Sequence, residues 1–143
     1  MNDELFALWQ ECDGQHRMDF YRERPGRVFT DATLRGLSNA ALGAHHRLES
    51  ASWGDFGIPN EIGEIAALAC EGPTENWVET IWPAIGGLWV PGEGKFSDRL
   101  FSPYIEHVRR DACQQFLRIR KVSRARWDTP KRKFEPGVRE ANL

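Results

Sequence analysis

The sequence predicts a mainly α-helical protein with one small β-hairpin, and three observations predict it. Apolar residues recur at three- and four-residue spacing in five separate stretches. Ser38, Asn60, Thr74 and Ser102 stand before four of these stretches as caps, and Gly14, Gly72 and Gly86 follow others as breakers. Between the fourth and fifth stretches, two short apolar runs flank Pro91-Gly92-Glu93-Gly94, a hairpin signal.

Each element follows from its own residues. In 3–12, Leu5, Leu8, Trp9 and Cys12 form one face of a short amphipathic helix, with Gly14 as its stop. Pro25-Gly26 marks a turn, and 27–37 reads as an extended piece followed by one helical turn. Ser38 caps a helix from 39 to about 52, with Ala41, Leu42, His45, Leu48 and Ser52 on one side. Residues 54–59, with Gly54 and Gly57, read as a loop. Asn60 caps the next helix, whose stripe is Ile62, Ile65, Ala66 and Ala69. Thr74 caps a third, with Trp77, Val78, Ile81, Trp82 and Ile85 facing inward and Pro83 expected to kink it. After the hairpin, Ser102 and Pro103 open a long helix to about residue 124, carrying Phe101, Ile105, Val108, Ala112, Phe116 and Ile119 inward. Three helices followed by a two-stranded hairpin is the order of a winged-helix domain. A compact helical domain with an incidental hairpin satisfies the periodicity equally well.

The chain divides into an N-terminal amphipathic helix at 1–17, a winged-helix-like domain at 18–127 and a flexible basic tail at 128–143. Its 143 residues suffice for one domain with its own core. No apolar run approaches the roughly 20 residues that span a bilayer, and the acidic start, Met1 to Glu4, argues against a signal peptide. A cytoplasmic protein without membrane contact is expected. Cys12, Cys70 and Cys113 are odd in number and far apart, which points to reduced thiols rather than a disulfide or zinc framework.

The net charge of −2 conceals a division. Residues 1–116 hold 10 Lys and Arg against 18 Asp and Glu, a balance of −8; residues 117–143 hold 9 against 3, a balance of +6. The cations gather in 114–127, where Arg118, Arg120, Lys121, Arg124 and Arg126 lead to Trp127, and continue as Lys131, Arg132 and Lys133. Basic side chains complement the C-terminal end of a helix dipole, but that does not account for a run extending past Pro130. Lys and Arg neutralise phosphates in a salt-sensitive way largely blind to sequence, and Trp127 offers a ring for stacking on a base. These nine residues are therefore the expected nucleic-acid contacts. The third helix, the one a winged helix usually places in the major groove, carries Glu75 and Glu79 and no cation. The hairpin mixes Lys95 and Arg99 with Glu93 and Asp98.

Catalysis is not expected, and neither is a metal or any other cofactor. His45 and His46 are adjacent on a helix, so their side chains diverge by about 100° and cannot share one ion from the same face. With Glu49 nearby they read as one surface pair and one packed ring. No phosphate-cradling loop with a following Lys-Ser or Lys-Thr occurs.

Several stretches, Met18-Asp19-Phe20-Tyr21, Leu37 to Trp53, Gly57-Ile58-Pro59, the hairpin through Asp98-Arg99-Leu100-Phe101, and Ser123 to Trp127, together resemble the YdaU-like family of phage and prophage proteins. The resemblance runs from about residue 18 to 127. His45 and His46 stand where that family usually shows an aromatic and an Arg, and residues 1–17 lie outside it. It implies a winged-helix-like domain and a place among phage replication proteins. The expected function is thus a phage or prophage DNA-associated accessory protein in the host cytoplasm, partnered by DNA without sequence preference and by a replication protein. The alternative is an anti-CRISPR-like inhibitor whose acidic body binds a host defence complex.

Overall fold

A computed structural model describes residues 2–16, 26–69, 71–72 and 74–128. It is mainly helical, with a small three-stranded antiparallel sheet. Helix α1 (Asn2–His16) carries Asp3 and Glu4 in its first turn, where the dipole favours acid. It runs through Gly14 rather than stopping there. Two short turns, α2 (Arg27–Thr30) and α3 (Ala32–Arg35), occupy the stretch read as extended and then helical. The Asp31 side chain explains the difference: it accepts from the backbone N–H of Thr33 and Leu34 and so starts α3.

Helix α4 (Asn39–Asp55) begins as expected, with Ser38 Oγ accepting from the Ala41 N–H at 3.1 Å. It ends at Phe56 and Gly57, both left-handed with φ of 57° and 91°. That reversal turns the chain into β1 (Ile58–Pro59), a strand in the segment read as a loop. β1 pairs with β3 (Arg99–Phe101), and β3 pairs on its other side with β2 (Val90–Pro91). The expected hairpin, β2 and β3, is therefore two strands of a three-stranded sheet ordered β1-β3-β2, with β3 at its centre. Its connection is longer than the four-residue turn expected and contains a 3₁₀ turn at Gly94–Phe96.

Helix α5 (Ile62–Leu68) is capped by Glu61 instead of Asn60. The Glu61 carboxylate accepts from the Gly63 and Glu64 N–H, and these two bonds pull its pKa down. Ile62, expected inward, is exposed. Thr74 caps the next helix through Trp77 N–H, as expected. Pro83 does not simply kink it: Trp77–Ile81 forms a π turn that leads into α6 (Trp82–Ile85). A proline has no N–H to return to the preceding turn, so the widened turn absorbs the mismatch. The same widening rotates Val78 to the surface while Trp77, Ile81 and Ile85 stay buried. Helix α7 (Pro103–Asp128) runs four residues beyond the expected end.

Helix α4 lies between two apolar clusters. Ala41, Ala44 and Leu48 meet Ile65 and Ala66 of α5, Trp77, Ile81 and Ile85 of the third helix, and Ile58, Trp89 and Leu100. Trp53 and Phe56, at its other end, meet Leu5, Trp9 and Cys12 of α1 and Ile105 and Cys113 of α7, with Phe101 from β3 and Phe96 from the loop between the strands. Residues 1–17, outside the resemblance, thus contribute a helix to the packed body. Burying an aromatic or large aliphatic side chain stabilises the fold by about 1.5–3 kcal/mol, so the second cluster is a substantial share of the core. Cys12 and Cys113 are both buried, and burial pushes the Cys12 thiol pKa up. Cys70 lies outside the described residues.

Candidate nucleic-acid interface

Helix α7 changes character along its length. At 1.5 Å per residue its 26 residues extend about 39 Å. Its core line is Ile105, Arg109 and Cys113, each fully buried at i, i+4 and i+8. Val108, Ala112, Phe116 and Leu117 flank that line and are partly buried. Ile119, expected to continue the apolar stripe, is instead 58% exposed, and Val122 is 56% exposed. Past Leu117 the helix has left the body that would cover it.

The cations sit on this outer part. Arg118, Lys121, Arg124 and Arg126 are exposed, Arg120 is partly buried, and Trp127 is 73% exposed. No acid lies between Asp111 and Asp128. Among the described residues none of Arg118, Lys121, Arg124 or Arg126 pairs with a carboxylate. The structure thus brings six of the nine expected contacts onto one helix end. Lys131, Arg132 and Lys133, with the tail expected to be flexible, lie outside the described residues.

Three cations elsewhere, Lys95, Arg99 and Arg109, are committed to the fold. Arg99 in β3 donates to three backbone carbonyls: Phe56 at 3.0 Å, Asp55 at 3.2 Å and Gly57 at 2.8 Å. Arg109 donates to Trp53 O at 3.0 Å and Ser52 O at 2.7 Å. Its guanidinium stacks 4.4–5.0 Å from the Trp9, Trp53 and Phe56 ring centroids. The two arginines tie down the carbonyls of Ser52, Trp53, Asp55, Phe56 and Gly57 at and just past the end of α4. Lys95 stands 3.6 Å from Asp3 and over the Phe6 and Phe96 rings. The expected hairpin cations, Lys95 and Arg99, are therefore engaged with the fold.

A second cluster escaped the sequence reading. Glu49, read as part of a surface pair, is fully buried. Its Oε1 accepts from Arg27 Nη1 at 2.9 Å, with His46 Nδ1 at 3.3 Å and His45 Nε2 at 3.5 Å. The Arg27 guanidinium lies 3.3 Å from the Tyr104 ring centroid. All three side chains converge on one oxygen, and Arg27 supplies the hydrogen bond that holds the buried carboxylate. Burial, then the Arg27 and His46 charges, push the His45 pKa down to about 4. The only sequence hint was geometric: Glu49 falls four residues after His45 and one after Leu48, on the inner side of α4.

The negative charge is concentrated as well. Between Arg47 and Lys95 there is no cation and there are eight carboxylates, while the rest of residues 1–116 holds ten of each sign. The whole body excess of −8 therefore lies in this window. Its exposed members include Glu61, Glu64, Glu75 and Glu79, on α5 and the third helix. No described helix is long and apolar enough to cross a membrane. No group of three or more His, Cys, Asp or Glu among the described residues is placed to hold a metal ion. Compared with protein-family models, curated proteins and solved structures, the chain matches none.

Proposed function

We propose that this is a nucleic-acid-associated accessory protein that contacts phosphates through the outer part of α7 and acts by binding rather than catalysis. One observation carries the reading: Arg118, Lys121, Arg124 and Arg126 are exposed on a helix segment that leaves the core, in a stretch without acid. Phosphate binding needs cations that are free to move onto the ligand. The cations of the sheet and core, by contrast, are already engaged. The order helix α4, strand β1, helices α5 and α6, strands β2 and β3 supports a winged-helix-like body. With the resemblance to the YdaU-like phage proteins, it supports a role beside phage DNA replication. The acidic third helix is unsuited to the major groove, so contact through α7 predicts little sequence preference.

The experiment is a fluorescence-anisotropy titration of duplex DNA with the full chain and with a variant in which Arg118, Lys121, Arg124 and Arg126 are all Ala. Each phosphate contact contributes about 0.9 to the slope of log K against log salt. The variant is expected to lower that slope by roughly 3 to 4 and to melt at the same temperature. Equal slopes and equal affinities, or no binding by the parent chain at low salt, refute the proposal.

A second reading has its own observation, the cation-free window from 48 to 94. An exposed acidic surface fits a basic protein partner, such as a host defence complex that normally holds nucleic acid. Charge reversal at Glu75 and Glu79 abolishes capture of such a partner under this reading. Under the first reading it strengthens DNA binding.

A further inference from the structure

One flank of α7 stays apolar after the core has ended. Val108 and Ala112 lie on this flank, partly buried, and at about 100° per residue Ile119 falls on the same line, with Val122 about 60° away. Ile119 and Val122 are nonetheless 58% and 56% exposed. One exposed aliphatic side chain is ordinary; two set three residues apart on a helix make a small patch. Arg118 and Arg126, both exposed, each stand within about 40° of Val122 and are roughly 12 Å apart along the axis. The patch is therefore aliphatic with a cation at either end. The third helix carries its counterpart. The π turn leaves Val78 46% exposed. Glu75, three residues earlier, and Glu79, next in sequence, are exposed beside it. No cation stands between Arg47 and Lys95 in sequence, and among the described residues neither carboxylate is in an ion pair.

We infer that the outer part of α7 docks on the third helix of a second copy of this chain, with Ile119 and Val122 against Val78, and Arg118 and Arg126 against Glu75 and Glu79. Both patches are exposed in the same structure, so within one chain neither covers the other. Helix α7 is also uninterrupted from Pro103 to Asp128, which fixes where its outer part stands. A phosphate backbone satisfies the arginines but leaves the two aliphatic side chains in water. A second copy satisfies both, and it supplies the cations that the acidic patch lacks. Opposite charges on the two sides favour unlike pairing and disfavour α7 against α7 or the third helix against itself. Each copy thus gives one patch and receives the other; two copies that reciprocate close as a two-fold dimer, and copies that do not reciprocate extend as a chain. A contact of this size is weak, and its ion pairs are screened by salt. The pairing goes beyond the nucleic-acid reading and does not depend on it, although Arg118 and Arg126 serve both.

The test is analytical ultracentrifugation of the full chain, without nucleic acid, from micromolar to sub-millimolar protein at low and near-physiological salt. The parent chain is expected to self-associate with rising concentration, and more tightly at low salt. Arg118→Glu with Arg126→Glu is expected to weaken self-association roughly 10-fold or more, and so is Glu75→Arg with Glu79→Arg. Mixing these two variants in equal amounts is expected to restore association, because each then carries the charge that the other needs on both patches. A variant that fails to fold is not rescued in this way. Ile119→Ser with Val122→Ser is expected to weaken self-association roughly 10-fold as well, through lost apolar burial, while duplex DNA binding, read by anisotropy, is unchanged. A parent chain that stays monomeric at sub-millimolar protein and low salt overturns the pairing. So does association that persists in both charge variants, or a mixture that stays monomeric although each variant melts like the parent. Self-association of a parent chain that binds no DNA overturns the nucleic-acid reading and leaves the pairing standing.

Discussion

Lowering the pH from 7 to 5 destabilises this protein through His45, and the structure sets the size of the effect. His45 is 2% exposed on the inner side of α4, with its ring edge-on to Trp89 at 5.7 Å. Burial is the largest cause of its low pKa, followed by the Arg27 and His46 charges, with Asp31 opposing. The Glu49 carboxylate is near enough to favour the protonated ring, but Arg27 holds the facing oxygen more closely, at 2.9 Å against 3.5 Å. The folded chain takes up the proton near pH 4 and the unfolded chain near 6.5. A base whose pKa falls on folding lends stability that is complete above the unfolded value and is lost as pH drops toward the folded one. The gap of about 2.5 pH units at 1.36 kcal/mol each gives about 3 kcal/mol in all, of which about 2 is gone by pH 5. Glu106 acts with the opposite sign. Burial raises its carboxyl pKa despite the Arg109 charge, so its contribution is present at low pH and is lost as pH rises through the raised value. The assay is urea unfolding at pH 7, 6 and 5 for the parent chain, His45→Gln and Glu106→Gln. The slope against pH, not the stability at one pH, is the readout. His45→Gln is expected to remove about 2 kcal/mol of the decline between pH 7 and 5. An unchanged decline in His45→Gln refutes the reasoning, because His45 would then take up its proton as readily in the folded chain as in the unfolded one.

Two further outcomes follow from the same contacts. Glu49→Ala leaves the 8%-exposed Arg27 without its buried carboxylate and is expected to cost about 3–5 kcal/mol in urea unfolding, whereas Arg27→Leu with Glu49→Leu costs less than Glu49→Ala alone. Gly57→Ala forces a β-carbon into a φ of 91° and to within 2.9 Å of the Phe101 ring and 3.0 Å of the Leu100 carbonyl; a loss of about 2 kcal/mol or more in thermal unfolding is expected.

Helix positions were readable because their signals are local. Ser38, Thr74 and Ser102 each cap a helix through a hydrogen bond that spans three residues. A hydroxyl before a periodic stretch is enough to forecast such a bond. The π turn was half legible: Pro83 forecast a disturbance, but whether the chain kinks or widens depends on what packs around it. Strand β1 was not legible, because two residues pair only when β3 arrives 40 positions later, and Ile58-Pro59 alone has no alternation to recognise. The candidate site divides in the same way. Charge is additive along a chain, so the excess of cations in 114–127 was visible at once. Whether each cation is free was not visible. Arg99 and Arg109 are the same residue type as Arg118 and Arg124, yet the first two end on carbonyls of α4 far away in sequence.

Local signals in the chain were enough for the helical class, three of the four expected caps, the separation of an acidic body from a basic end, and the candidate binding segment. Each of these depends on neighbours within a few residues or on simple sums. Tertiary structure alone decided that Glu49 is buried beneath Arg27, that two arginines close the end of α4, and that α7 outruns its core before Trp127. Those outcomes depend on which surfaces meet. A side chain's exposure and the charge it faces are set by residues brought together from 20 to 60 positions apart, and no periodicity in one stretch records them.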